Sequence, residues 1–137
     1  MKKRVLILCT GNSARSQMSE GLLKHISKDE FEVESGGTKP SLVRPEAIAV
    51  LKEIGIDIST NRSKSVEEFA GQEFDFVITV CDNARENCPY FPAQTKRIHH
   101  SFADPAAIAG DEETRLQAFR KVRDEIHRFL LEFISKY

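Results

Sequence analysis

Val5-Leu6-Ile7-Leu8-Cys9-Thr10-Gly11-Asn12-Ser13-Ala14-Arg15-Ser16 runs an apolar strand directly into a cysteine, a short polar turn and an arginine. A tight loop opening onto a helix N-terminus aims successive backbone amides at one point, which suits a tetrahedral oxyanion. Thr10, Gly11, Asn12, Ser13, Ala14, Arg15 and Ser16 are therefore the candidate substrate-binding residues. Arg15 adds a planar fork of donors able to grip two oxygens. The same positive field favours the thiolate of a cysteine at the base of such a loop, which makes Cys9 the candidate nucleophile.

Working outward, Lys3–Leu8 reads as a buried strand, and Met18, Leu22, Leu23 and Ile26 recur at helical spacing over Ser16–Ile26. Phe31–Ser35 alternates apolar and polar and ends at Gly36-Gly37; Pro45 opens a second helix that carries Ala47, Ile48, Val50, Leu51 and Ile54 before Gly55 stops it. Phe74–Val80 is a nearly continuous apolar run suited to a strand covered on both faces, and Lys96–His99 suits a short edge strand. From Glu112 to Ser135 the residues Leu116, Phe119, Val122, Ile126, Phe129, Leu130, Phe133 and Ile134 form one apolar stripe on a long helix, opposite a charged face. Strands alternating with helices over short connections predict an α/β fold, a single-domain three-layer sandwich over residues 1–137 with a four-stranded parallel sheet. The Cys9–Arg15 loop then lies at the carboxyl end of strand 1, where open sheets of this kind bind ligands.

The bulk properties limit the partners. The 137 residues are the size of one ordinary domain, and a formal net charge of -1 provides no global basic field for nucleic acid or anionic lipid. No DNA-binding motif or basic helix is present, and no apolar run approaches the roughly 20 residues of a membrane span. Met1-Lys2-Lys3-Arg4 leads into only a short apolar stretch, unlike a signal peptide. Three cysteines without the spacing of a secreted scaffold suggest a reducing cytoplasm, where thiols serve chemistry. The four histidines lack ligand spacing, so no metal site is expected and the histidines read as ordinary helix and strand residues.

The other two thiols fall in Val77-Ile78-Thr79-Val80-Cys81-Asp82-Asn83-Ala84-Arg85-Glu86-Asn87-Cys88-Pro89. In isolation they read as small buried residues. Parallel strands, however, bring Cys81 to the same sheet edge as Cys9. A helix spanning both cysteines would hold their Cα atoms about 10.5 Å apart, beyond the roughly 4.4–6.8 Å of a disulfide, so a bond between them requires that segment to unwind.

The chain resembles the thioredoxin-coupled arsenate reductases, which share the low-molecular-weight protein tyrosine phosphatase fold. The likeness rests on the Cys9–Ser16 loop continuing through Gln17-Met18-Ser19-Glu20, on Gly55-Ile56-Asp57-Ile58-Ser59, on Cys81 and Cys88-Pro89, on Phe102-Ala103-Asp104-Pro105, and on Val122-Arg123-Asp124-Glu125-Ile126. It spans nearly the whole chain. The resemblance implies catalytic roles for Cys9, Arg15, Cys81, Cys88 and Asp104. Arsenate would settle in the loop, Cys9 would attack arsenic, and Asp104 would protonate the departing oxygen. Cys81 would then attack Cys9, expelling arsenite, and Cys88 would attack Cys81 to leave a pair reducible by thioredoxin, the external reductant, with no bound cofactor. Asn12 would brace the loop, with Ser13 and Ser16 offering hydroxyls to the loop or thiolate.

Two departures are informative. Many relatives carry an extra cysteine where Ala14 stands, so that position is not needed for a three-thiol cascade. Relatives that bind potassium do so through residues matching Asn12, Glu20 and Ser35 plus an aspartate. Lys64 stands in the aspartate's place, and its ammonium is expected to fill part of the cation's space. The rival reading is a phosphatase acting on phosphotyrosine or small phosphomonoesters through Cys9, Arg15 and Asp104, which needs neither Cys81 nor Cys88.

Overall fold

The computed structural model describes residues 2–82, 84 and 94–137. Its sheet contains β1 (Lys3–Cys9), β2 (Phe31–Gly37), β3 (Phe76–Thr79) and β4 (Lys96–His99), all parallel, in the order β2-β1-β3-β4. β1 is central because its sequence permits nothing else. Val5, Leu6, Ile7 and Leu8 are fully buried, so both faces of the strand are covered. β4 begins with Lys96 and Arg97, side chains that discourage further strand pairing at an open edge.

Helices α1 (Arg15–Ser27), α2 (Pro45–Lys52) and α3 (Glu112–Lys136) pack against one another, with α1 also against β1 and β2. The apolar stripe of α3 faces inward as expected: Phe119, Val122, Ile126, Leu130 and Phe133 are buried, with Leu116, Phe129 and Ile134 packed at its margins. Phe133 meets Phe31 and Phe76 at ring-centroid distances of 5.5 and 5.1 Å, which fixes the end of α3 under the sheet. On β2 the pleat turns Ser35 toward α1 and Gly36 toward the opposite face, where a 3-10 turn (Val66–Phe69) covers it. A Cβ on Gly36 would lie 3.2 Å from the Val66 Cα, so glycine permits that close cover.

Two elements are shorter than their apolar patterns predict. α2 ends at Lys52 because a Schellman motif closes it: Ile56 N–H donates to Leu51 O and Gly55 N–H to Lys52 O, with Gly55 at φ 84°. Ile54 thus lies beyond the helix, 40% exposed. β3 spans Phe76–Thr79 and not Phe74–Val80, since the Asp75 carboxylate accepts from Arg4 N–H and ends the regular pairing there. None of the helices in the described residues is long and apolar enough to cross a membrane.

Charge ties α2 to α3. Arg120 and Arg123 both reach Glu53 at 2.8–3.0 Å, and Arg123 also donates to the Val50 carbonyl at 2.9 Å. Hydrogen bonding from Arg120 holds the Glu53 carboxyl below the usual carboxylate range. The backbone amide of Thr114 likewise depresses Asp111, which caps α3. A depressed carboxyl stabilises the fold above its unfolded pKa and loses that contribution as the pH falls through the folded value. The urea midpoint is therefore expected to drop as pH falls below about 4. Glu53→Gln should lower the midpoint at neutral pH and flatten its acid slope; parallel pH curves would remove Glu53 from the account.

Candidate active site

Cys9 is the last residue of β1 and Arg15 the first of α1, so the loop between them sits at the carboxyl end of the sheet. Its carbonyls are turned outward and tied down by the following segment. Thr38, Lys39, Ser41 and Arg44 donate their amides to Cys9, Thr10, Gly11 and Ser13 carbonyls at 2.8–3.2 Å, and the Ser63 hydroxyl donates to Gly11 O at 2.8 Å. The amides of Gly11–Ala14 donate no hydrogen bond to any described residue. They are the donors an oxyanion would find. Asn12 takes a left-handed conformation, φ 47°, and bends the loop into this nest. Gly37 of β2 allows the loop its position, since a Cβ there would come within 2.5 Å of Thr10 O and 2.8 Å of Asn12 N.

Asn12 is wholly buried and uses both ends of its amide. Its Oδ1 accepts from Gln17 Nε2 at 3.0 Å and Lys64 N at 2.8 Å; its Nδ2 donates to Ser16 Oγ at 2.7 Å and Ser35 Oγ at 3.0 Å. The two serine oxygens are thereby used as acceptors, so their protons point elsewhere. Ser35 donates to Glu20 Oε1, and Ser16 Oγ lies 2.9 Å from Cys9 Sγ, where its hydroxyl can donate to the sulfur once that is a thiolate. Of the two serines expected near the nucleophile, Ser16 is the one that reaches it.

Glu20 is a carboxylate with 3% of its side chain exposed, and it is fully partnered. Lys24 Nζ lies at 2.8 Å and Lys64 Nζ at 3.6 Å, with Ser35 and Asn61 as further donors. The Lys64 ammonium thus lies between Glu20 and Glu34, 3.6 and 3.7 Å from their carboxylates. Among the described residues no group of three or more His, Cys, Asp or Glu is arranged to hold a metal.

Arg15, 14% exposed, points away from the helix toward the segment that follows β4. Its Nη1 donates to Phe102 O at 3.1 Å, and its Nη2 lies 3.9 Å from Asp104 Oδ2. Asp104 caps the 3-10 turn Pro105–Ala107 through Oδ1, which accepts from Ala106 N–H, and its carboxylate is 45% exposed. The turn role and the proximity to Arg15 coexist, since each uses a different oxygen.

Cys81 lies two residues past β3. The register Leu8↔Thr79 sets Cys9 level with Val80, so Cys81 follows one residue later at the same edge of the sheet. Its thiol is 3.4 Å from both Thr10 Oγ1 and the Ala84 amide. Cys9 and Cys81 are both free and buried. Cys88 and the segment proposed to unwind lie outside the described residues. One interaction escaped the sequence reading: His99 on β4 contacts both Thr79 and Asp82.

Comparison with known proteins agrees with this geometry. The low molecular weight phosphotyrosine protein phosphatase family pattern matches residues 4–136. An arsenate reductase from Shouchella clausii is 44% identical over 132 residues, covering 96% of this chain and 95% of its own. A solved arsenate reductase in its oxidized state superposes with a TM-score of 0.80 at 34% identity, covering 98% of each chain. A thioredoxin-dependent arsenate reductase from Corynebacterium glutamicum gives 0.78 at 25% identity over 98% of this chain and 61% of its own. The family match over nearly the full length, carried by a cysteine-to-arginine anion loop at the end of β1, means that this chain belongs to the low molecular weight phosphotyrosine protein phosphatase family.

Proposed function

We propose that this protein reduces arsenate to arsenite through Cys9, Cys81 and Cys88 and is restored by thioredoxin. The observation that carries this reading is the second thiol: Cys81 is held against Thr10, a residue of the anion loop, at the same edge of the sheet as Cys9. A phosphomonoesterase has no use for it. The curated relative named above is an arsenate reductase, and one of the solved neighbours is thioredoxin-dependent.

Arsenate enters the nest of Gly11–Ala14 amides and exchanges the Arg15–Asp104 contact for a fork on two of its oxygens. The Cys9 thiolate forms a sulfur–arsenic bond, and Asp104 gives its proton to the oxygen that leaves as water. The Cys81 thiolate then attacks Cys9 Sγ. A sulfur–sulfur bond forms, the sulfur–arsenic bond breaks, and its electron pair stays on arsenic, which departs as arsenite, reduced by two electrons. Cys88 attacks Cys81 and frees the Cys9 thiolate, leaving a Cys81–Cys88 disulfide that the two thiols of thioredoxin reduce. This chemistry needs no bound cofactor and suits a reducing cytoplasm. Phosphate shares the charge and geometry of arsenate, so slow hydrolysis of phosphate esters through Cys9 is expected beside the main reaction.

The test is NADPH consumption with arsenate, thioredoxin and thioredoxin reductase, run beside hydrolysis of a chromogenic phosphate ester. Arsenate-dependent turnover well above ester hydrolysis supports the reductase; efficient hydrolysis with no arsenate-dependent turnover under any thiol donor would establish the phosphatase. Since Lys64 already supplies a cation at Glu20, the rate should be equal in potassium and sodium salts of matched ionic strength. Strong activation by potassium would show that the Lys64 ammonium does not fill that role.

A further inference from the structure

Thr79 ends β3 and pairs in register with His99, the last residue of β4. Between their side chains Thr79 Oγ1 and His99 Nδ1 are 2.7 Å apart, and on the far side of the ring His99 Nε2 is 3.0 Å from Asp82 Oδ1. Because Nε2 faces a carboxylate, it carries a proton and donates. The hydroxyl at Nδ1 fixes which way the ring faces. Asp82 is the residue immediately after Cys81. The chain Thr79–His99–Asp82 therefore joins the rigid edge of the sheet to the first residue beyond the second thiol.

The contact contributes little to stability. Asp82 is 66% exposed and His99 21%, and water screens surface pairs of this kind. Its consequence lies in what it restrains. Cys81 is bracketed by two anchors, Thr79 on the sheet and Asp82 on His99, while its sulfur lies against Thr10 Oγ1 and accepts from the Ala84 amide. We infer that His99 is a positioning residue for the second chemical step: by holding Asp82, it keeps the Cys81 thiol at the rim of the anion loop, aligned to attack Cys9. His99 touches neither the oxyanion nor the reacting sulfurs. It acts through the backbone between Asp82 and Cys81.

This inference rests on the reading of Cys81 as the resolving thiol. The experiment is a single turnover without thioredoxin, following arsenite release from reduced enzyme mixed with excess arsenate. Phosphate ester hydrolysis, which uses Cys9 but neither Cys81 nor Cys88, is the parallel readout. His99→Leu and Asp82→Ala should each slow arsenite release by up to about fivefold, the upper range for losing one exposed contact of this kind. The double variant should be no slower than either single one, because both remove the same contact. Asp82→Asn keeps an acceptor for the His99 N–H and should remain near the parent rate. Ester hydrolysis and the KM for arsenate should not move. Unchanged release in the single variants, multiplicative effects in the double variant, or an equal fall in ester hydrolysis would overturn the assignment. Absence of arsenite release from the unsubstituted enzyme would instead sink the resolving role of Cys81, and the assignment with it. Asp82 is exposed, so its variants report even if the His99→Leu chain folds poorly.

Discussion

Replacing Cys81 with serine is expected to reduce arsenate-dependent NADPH oxidation to background while ester hydrolysis continues near the parent rate. Sulfur–sulfur exchange requires a thiolate attacking in line with the bond it breaks, and serine offers neither the nucleophilicity nor the redox chemistry. Nothing in the first step needs Cys81: the nucleophile, its Ser16 donor, the loop amides, Arg15 and Asp104 all lie on other segments. The Cys81→Ser enzyme should therefore still react at Cys9 but release no arsenite. Cys88→Ser divides the cascade one step later. It should complete one round, releasing about one equivalent of arsenite per enzyme, and then stall, because the oxidation stays in a Cys9–Cys81 disulfide between two buried residues and no Cys81–Cys88 pair forms for thioredoxin to reduce. Full multiple turnover by Cys88→Ser would remove Cys88 from the relay. Survival of arsenate turnover in Cys81→Ser would remove the observation on which the reductase reading rests.

What the sequence disclosed and what it withheld follow from the range of the interactions. β1, its loop and α1 are legible because one apolar run, one polar turn and one helical stripe succeed each other within 25 residues of chain, positions 3–27, and local rules govern each. β4 and α3 are legible for the same reason. Ile54 misled because it continues the apolar spacing of α2 past the point where backbone hydrogen bonding at Gly55 closes the helix. The candidates Cys9, Arg15, Cys81 and Asp104 were legible from residue types together with the family resemblance, and the described residues bring these four to one edge of the sheet. The connections among them were not readable. The outward lacing of the loop by residues 38–44 and the His99–Asp82 contact join segments far apart in the chain. Each depends on strand order. Had the β3–β4 pairing been known, the register Thr79↔His99 would have placed that histidine next to the residue after Cys81, and its reading as an ordinary strand residue would have failed.

Asn12→Ala is expected to be the most damaging single change outside the reacting residues, lowering stability by about 3–4 kcal/mol and kcat/KM by about a hundredfold. The stability loss has two separable sources. Four hydrogen bonds vanish from a fully buried site, leaving Lys64 N–H, Gln17 Nε2 and two serine oxygens short of a partner. Alanine must also hold φ 47°, a conformation that costs a Cβ-bearing residue about 1 kcal/mol. Asn12→Gly loses the same four bonds without that strain, so its urea midpoint should lie above that of Asn12→Ala by the equivalent of about 1 kcal/mol. The activity loss should be shared by both. Without the Asn12 donors, Ser16 and Ser35 lose the partner that orients their hydroxyls toward Cys9 and Glu20, and the loop loses its brace. Single-turnover ester hydrolysis should accordingly slow in both variants, by similar amounts, despite their different stabilities. Equal urea midpoints for the two variants would show that the left-handed backbone carries no strain. An unchanged hydrolysis rate would show that Asn12 supports the fold without shaping the chemistry of the loop.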